Sequence, residues 1–210
     1  MGWRYHAGVI PHVLIPGGIE PPLAERLLAY AAALRDEAVA GRVGHNDASE
    51  IDQSVRKVLV IEDLGELQPD VEAAVDRVVE DVRVKLGVSP FVQGEKELTL
   101  VAYGDGAFYD THIDTFTGRS GAAPPRQITF VGYFFREPQR FTGGALRLFD
   151  LPQAQWVDIE PRNGLLVAFP SWTPHEVLPV SCPDGQFADG RFAVNVWVCG
   201  RRAPGKVERS

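Results

Sequence analysis

Beyond Glu97 the apolar residues stop recurring at helical spacing and fall into short runs broken by glycine, proline and asparagine. Eight strands are expected there, over 97–103, 108–114, 126–135, 145–150, 154–160, 164–169, 175–180 and 190–198. Gly104-Asp105-Gly106 and Asn163-Gly164 carry hairpin chemistry. Many short strands closing a chain suggest two packed sheets, as a sandwich or jelly roll. The first half reads differently. Pro21-Pro22 suits a helix start, and Leu23, Leu27 and Leu34 share one stripe of a helix running to about Asp36. A second helix is expected from Pro69-Asp70 to Gly87, with Val71, Val75, Val78, Val79, Val82 and Leu86 as its apolar face. Between them, Val55 to Ile61 reads as a strand. The helices are expected to cover one outer face of the β core.

Bulk properties narrow the function classes. The chain has 210 residues, 45% hydrophobic and 23% charged, which is enough for one domain with a sizeable core. A net charge of −7 disfavours a general nucleic-acid or anionic-membrane binder. Two cysteines, Cys182 and Cys199, make neither a disulfide framework nor a zinc-finger spacing. No signal-peptide layout and no apolar run of membrane-spanning length appear, so a cytoplasmic protein is expected.

His112-Ile113-Asp114 ends the strand-like run from Phe108. In a strand, residues two apart share a face, so an imidazole and a carboxylate converge. His175, after the Pro170 and Pro174 turn, opens another strand and supplies a second imidazole. Two His and one carboxylate on one face of an octahedron form the ligand set of non-haem Fe(II) oxygenases. His6, His12 and His45 lack such a partner and read as structural or surface residues. On the last strand, Phe192, Val194, Val196 and Val198 face the helices, while Arg191, Ala193, Asn195 and Trp197 share the inner face. A guanidinium on an inner face suggests a buried anion partner, bound bidentately. The plain alternative is a surface Arg beside Asp189. Tyr103 and Tyr133 either donate phenolic hydrogen bonds inside the barrel or fill its core. Tyr109, three residues before His112, is expected on the opposite strand face, in structural packing. Gly143-Gly144 reads as a plain turn. Together these parts suit Fe(II) chelated by a 2-oxo acid. The distal carboxylate of that acid would meet Arg191 and a tyrosine, with O2 at the last metal position.

In order along the chain, Tyr103-Gly104, Tyr109-x-x-His112-x-Asp114, Arg126-x-x-Thr129, Tyr133, Gly143-Gly144-x-Leu146, Phe169-Pro170, His175-Glu176-Val177 and Arg191-x-Ala193 with Trp197 resemble prolyl-4-hydroxylase-like 2-oxoglutarate/Fe(II) dioxygenases. The resemblance covers about 97–199. It implies a double-stranded β-helix core, cupin-like, over about 96–200, with helical support over about 1–95 in one domain spanning 1–210. It implies Fe(II) on His112, Asp114 and His175, and 2-oxoglutarate on Arg191, with Tyr133 as partner and Tyr103 nearer the cosubstrate or metal. O2 is the co-reactant, with ascorbate as an optional reductant. The 175–191 segment is longer than in many members, and Thr142 stands where an acidic residue often precedes the double glycine. Asp114 favours hydroxylation over halogenation, because related halogenases lack that carboxylate.

The resemblance points to a prolyl residue of a peptide or protein as substrate. A free amino acid, a natural-product intermediate and a non-catalytic cupin-like binding module are the alternatives. A zinc hydrolase is disfavoured because no His-Glu-x-x-His occurs. The loop 117–125 is rich in Gly and Ala and is expected to be mobile and to cover the metal mouth. Arg119 within it and Trp197 are the candidate substrate residues, Arg119 either meeting an acidic group or lying in solvent.

Overall fold

The computed structural model describes residues 4–6, 10–43, 50–115, 125–183 and 185–201. Its strands are β1 (Arg4–His6), β2 (His12–Ile15), β3 (Val39–Ala40), β4 (Arg56–Lys57), β5 (Leu59–Ile61), β6 (Gln93–Tyr103), β7 (Phe108–His112), β8 (Arg126–Phe134), β9 (Thr142–Gly143), β10 (Leu146–Asp150), β11 (Gln155–Ile159), β12 (Leu166–Pro170), β13 (His175–Val177), β14 (Val180–Ser181) and β15 (Arg191–Gly200). The helices are α1 (Pro21–Ala33), α2 (Gln68–Asp76) and α3 (Val79–Lys85).

Two antiparallel sheets face each other. The larger runs β1-β2-β12-β8-β15-β6-β5-β3 and the smaller β11-β10-β13-β7-β4, with β9 and β14 paired separately. Strands far apart in sequence lie side by side, β8 against β15 against β6, which is the jelly-roll arrangement. The outer face of the larger sheet takes the helices. Phe192, Val194, Val196 and Val198 are fully buried there against Leu27, Val71, Val75 and Val82. Each such side chain stabilises the fold by about 1.5–3 kcal/mol through the apolar area it removes from water. A second apolar cluster fills the space between the sheets and contains Val101, Tyr103, Tyr133, Leu148, Phe169 and Ala193.

Several boundaries differ from expectation for identifiable reasons. The helix expected over 69–87 is two helices, because Val78 adopts φ −128° and breaks the ladder. The stripe survives: Val71, Val75, Val78, Val79, Val82 and Leu86 are all buried on the two sides of the break. The strand expected over 55–61 is shared between sheets, β4 pairing with β7 and β5 with β6. The run 175–180 divides likewise: β13 joins the smaller sheet, and β14 turns away to pair with β9, Ser181 opposite Thr142. The first half is not only helical support, since β1 to β5 extend both sheets. His12 is buried in β2, its ring bonded to the Ile10 carbonyl, so it is structural as expected. Among the described residues no helix is long and apolar enough to cross a membrane.

Candidate metal centre and its cavity

His112 ends β7 and His175 opens β13, and the two stand directly opposite each other in the register. Cross-strand neighbours in that position place their side chains side by side, and the rings lie with centroids 4.1 Å apart. Asp114 sits two residues past the end of β7, in a bend rather than in the strand expected through 114. Its backbone N–H donates to the Ser171 carbonyl, which holds the bend against the end of β12. The carboxylate reaches the two imidazoles from there, with Nε2–Oδ distances of 3.8 Å to His112 and 3.5 Å to His175. One ligand atom from each residue lies within 4.8 Å of the others.

Protonation suits a cation. The Nδ1 of His112 faces the Asp110 carbonyl at 2.8 Å and that of His175 faces the Thr173 carbonyl at 2.9 Å. A carbonyl only accepts, so each Nδ1 carries a proton and each Nε2 is the ring nitrogen turned toward Asp114. Burial first, then repulsion from His175, pulls the His112 pKa down to about 3. Burial alone would raise that of Asp114, but the two histidines and the Thr129 hydroxyl outweigh it and hold it low. Two imidazoles and one carboxylate therefore share one point, a donor set that fits a divalent metal. Thr129 Oγ1 donates to Asp114 Oδ2 at 2.8 Å, and Ser171 Oγ lies 3.0 Å from Thr129 Oγ1. Thr129 lies in the Arg126-x-x-Thr129 motif, which by itself implies no role for it, and no sequence pattern marks Ser171.

The same cavity, about 210 Å³, extends from the triad to Arg191. Arg191 is 1% exposed, so the surface alternative fails. Its guanidinium carbon lies 4.5 Å from the Tyr103 ring centroid and 4.8 Å from that of Tyr133. Its Nε, Nη1 and Nη2 are all buried without a hydrogen-bond partner, and so is the Tyr133 hydroxyl. A buried cation without a counter-charge costs several kcal/mol, so this end of the cavity is built to take an anion. Gly143 and Gly144 both have φ of +71°, and the pair is more than a plain turn. A Cβ on Gly144 would lie 2.7 Å from Arg191 Cδ, so the glycine makes room for the stem of Arg191.

Tyr109 is not on the far face of its strand. Its ring stacks on His112 with centroids 3.6 Å apart. The cause is a bulge: between His175/His112 and Val177/Tyr109, β7 spends one residue more than β13. The extra residue reverses the alternation, and positions three apart come to one face. Trp197 lines the cavity, its ring under the Arg126 guanidinium at 4.0 Å. Arg126 is itself paired with Glu97, Nε to Oε2 at 2.9 Å. Arg119 and residues 117–124 of the expected covering loop lie outside the described residues, as does His45.

Comparison with known proteins agrees with this geometry. The family described as the 2OG-Fe(II) oxygenase superfamily matches residues 98–199. An uncharacterised PKHD-type hydroxylase of Synechocystis is 39% identical over 122 residues, 54% of this chain and 39% of that protein. The chain thus spans well under half the length of that relative. Among solved structures, a Pseudomonas putida prolyl-4-hydroxylase superposes with a TM-score of 0.65 at 23% identity, covering 91% of this chain and 94% of that one. A Trichoplax adhaerens prolyl hydroxylase, solved in complex with a hypoxia inducible factor peptide fragment, gives 0.66 at 19% identity, over 90% and 83%. Residues 98–199, just under half of the chain, are thus similar to the 2OG-Fe(II) oxygenase superfamily, and the fold is the jelly roll of the solved prolyl hydroxylases.

Proposed function

We propose that the protein is an Fe(II)- and 2-oxoglutarate-dependent dioxygenase that hydroxylates an unactivated C–H bond, most simply of a prolyl residue in a peptide. The observation that carries this reading is one cavity holding both a buried His-Asp-His set and a stranded guanidinium. A cupin-like binding module would need the first and not the second. In this reading His112, Asp114 and His175 hold Fe(II), and Arg191 takes the distal carboxylate of 2-oxoglutarate. Tyr133 donates its hydroxyl to that carboxylate, and burial keeps the phenol protonated by raising its pKa. Tyr103 walls the guanidinium and orients it. When bound, the metal, cosubstrate and O2 supply the oxidising chemistry; the chain supplies ligands, orientation and seclusion from water. Thr129 fixes Asp114. Trp197 lines the same cavity and stays a candidate substrate residue.

The prolyl assignment is supported by the prolyl hydroxylases among the fold neighbours and the hydroxylase type of the sequence relative. A cytoplasmic location suits two buried free thiols. Peptides, free amino acids and a lysate, with and without ascorbate, should be screened by mass spectrometry for a gain of one oxygen matched by succinate. No oxygen gain across that panel, with 2-oxoglutarate left unconsumed, would remove the dioxygenase reading.

A further inference from the structure

We propose that Arg56 is a second anion-reading residue of the cavity, and that the prime substrate presents a carboxylate to it while the target C–H lies at the triad. The inference rests on the dioxygenase reading and concerns which substrates that site accepts.

Acidic residues outnumber lysine and arginine in this chain, 28 to 21. Six of its described arginines pair with a carboxylate: Arg26 with Asp70, Arg77 with Glu20, Arg83 with Glu80, Arg126 with Glu97, Arg136 with Asp189 and Arg147 with Asp158. Arg56 lines the metal cavity and, among the described residues, forms no ion pair. It is nevertheless held in place. The guanidinium lies 4.6 Å from the centroid of the Tyr109 ring. Nη1 donates to the Arg42 carbonyl at 2.8 Å. Nε is buried without an acceptor. On another side is Gly41, where a Cβ would stand 2.5 Å from Val58 Cγ2, 2.9 Å from Arg56 Nε and 3.1 Å from Arg56 Cδ. A solvated surface arginine needs none of these supports. They spend chain entropy in advance, and no hydrogen bond among the described residues occupies Nη2, the preorganisation that favours a carboxylate.

Position gives the inference its content. Tyr109 carries Arg56 and also stacks on His112. The cation is thus one aromatic ring away from the triad, on the side of β4, while Arg191 lies at the β15 end. A substrate reaching the metal past β4 would place a group within one side-chain length of Arg56. That group is either an acidic side chain next to the target residue or the α-carboxylate of a free amino acid.

The test uses the Fe(II)- and 2-oxoglutarate-loaded protein under nitrogen, so that binding is read without turnover. The probes are acetylated, amidated pentapeptides with a central proline flanked by Glu, Gln or Lys, together with free L-proline. Calorimetry should show Glu peptides binding at least tenfold more tightly than Gln peptides, the advantage shrinking with added salt. Arg56→Gln should erase that advantage while leaving 2-oxoglutarate affinity unchanged. Gly41→Ala, which keeps Arg56 but crowds its stem, should reduce the advantage and serves if Arg56→Gln folds poorly. Free L-proline bound in an Arg56-dependent way supports the proposal with the α-carboxylate as its source. Equal affinities for Glu and Gln peptides without Arg56-dependent binding of proline, or discrimination that survives Arg56→Gln, overturn it. Failure of the dioxygenase reading shows separately, as 2-oxoglutarate binding that depends on neither metal nor Arg191.

Discussion

The two ends of the cavity are built by different means. At the inner end Arg191, Tyr133 and Tyr103 stand on β15, β8 and β6, long neighbouring strands in regular register. Arg191 is opposite Tyr103, and Ala193 is opposite Tyr133. Every contact there follows from period-two alternation. At the mouth, Arg56 and Tyr109 sit on β4 and β7, short strands at the edge of the smaller sheet, one of them bulged. A regular strand fixes a side chain with its own backbone and leaves little freedom. An edge with a bulge needs local devices, here a glycine, a ring and a carbonyl. The inner end suits an invariant cosubstrate, and the mouth suits the part of the reaction that varies between enzymes.

The largest effects belong to the junction of the two ends. Asp114→Ala or His112→Ala should abolish metal-dependent turnover with the fold retained, since the described fold is carried by the two apolar clusters. Circular dichroism and succinate release check the two halves of that statement. Wild-type turnover in Asp114→Ala would remove the triad.

Arg191→Ala comes next. It should raise the apparent KM for 2-oxoglutarate by an amount on the order of 2–5 kcal/mol, the usual cost of truncating a buried charge pair. The KM for the prime substrate should change little. Gly144→Ala tests the same end through the backbone. It places a methyl against Arg191 and forces a non-glycine residue to φ of +71°, so both 2-oxoglutarate affinity and thermal stability should fall. Gly41 has no such φ, so Gly41→Ala should leave the cosubstrate untouched. Equal damage to 2-oxoglutarate binding from the two glycine substitutions would mean the ends are not separable.

Thr129→Val should weaken metal binding by roughly 10- to 100-fold, as loss of a hydrogen bond to a ligating carboxylate commonly does. Competition with a chromogenic chelator measures it. Unchanged affinity would mean that the Ser171 contact alone positions Asp114.

The contrast between the ends also sets what was legible in the sequence. Arg191 and the helix-facing residues of β15 could be read because a long strand keeps its phase. His112 and His175 could be read as residue types, although Asp114 reaches them from a bend and not from a strand. Tyr109 was misplaced because a bulge leaves no mark in alternation. Arg56 was invisible for a related reason: its partners come from Gly41, Arg42 and Tyr109, three places that only the sheet corner brings together. The same corner divides Val55 to Ile61 between two sheets, where a single apolar run suggested one strand. Helix and strand periods are local properties, whereas the choice of sheet is settled by partners distant in sequence.

The smallest expected effect is the most specific to the contrast. The Tyr133 hydroxyl is buried without a hydrogen-bond partner, while Tyr109 is only partly buried. Leaving a buried hydroxyl unpaired costs about 1–3 kcal/mol relative to a paired one. Tyr133→Phe removes that cost from the ligand-free protein, which should therefore melt at a slightly higher temperature. It also removes a donor to the distal carboxylate, so 2-oxoglutarate should bind more weakly, by about 0.5–1.5 kcal/mol for one hydrogen bond. Stability and affinity then move in opposite directions, and saturating cosubstrate should shrink the gain in melting temperature. Tyr109→Phe keeps its ring against His112 and Arg56, so neither quantity should move appreciably. Thermal melts with and without 2-oxoglutarate, on both variants, separate the cases. A Tyr133→Phe protein that is less stable without ligand and binds 2-oxoglutarate normally would place the hydroxyl in the structural core and leave Arg191 to hold the carboxylate without it.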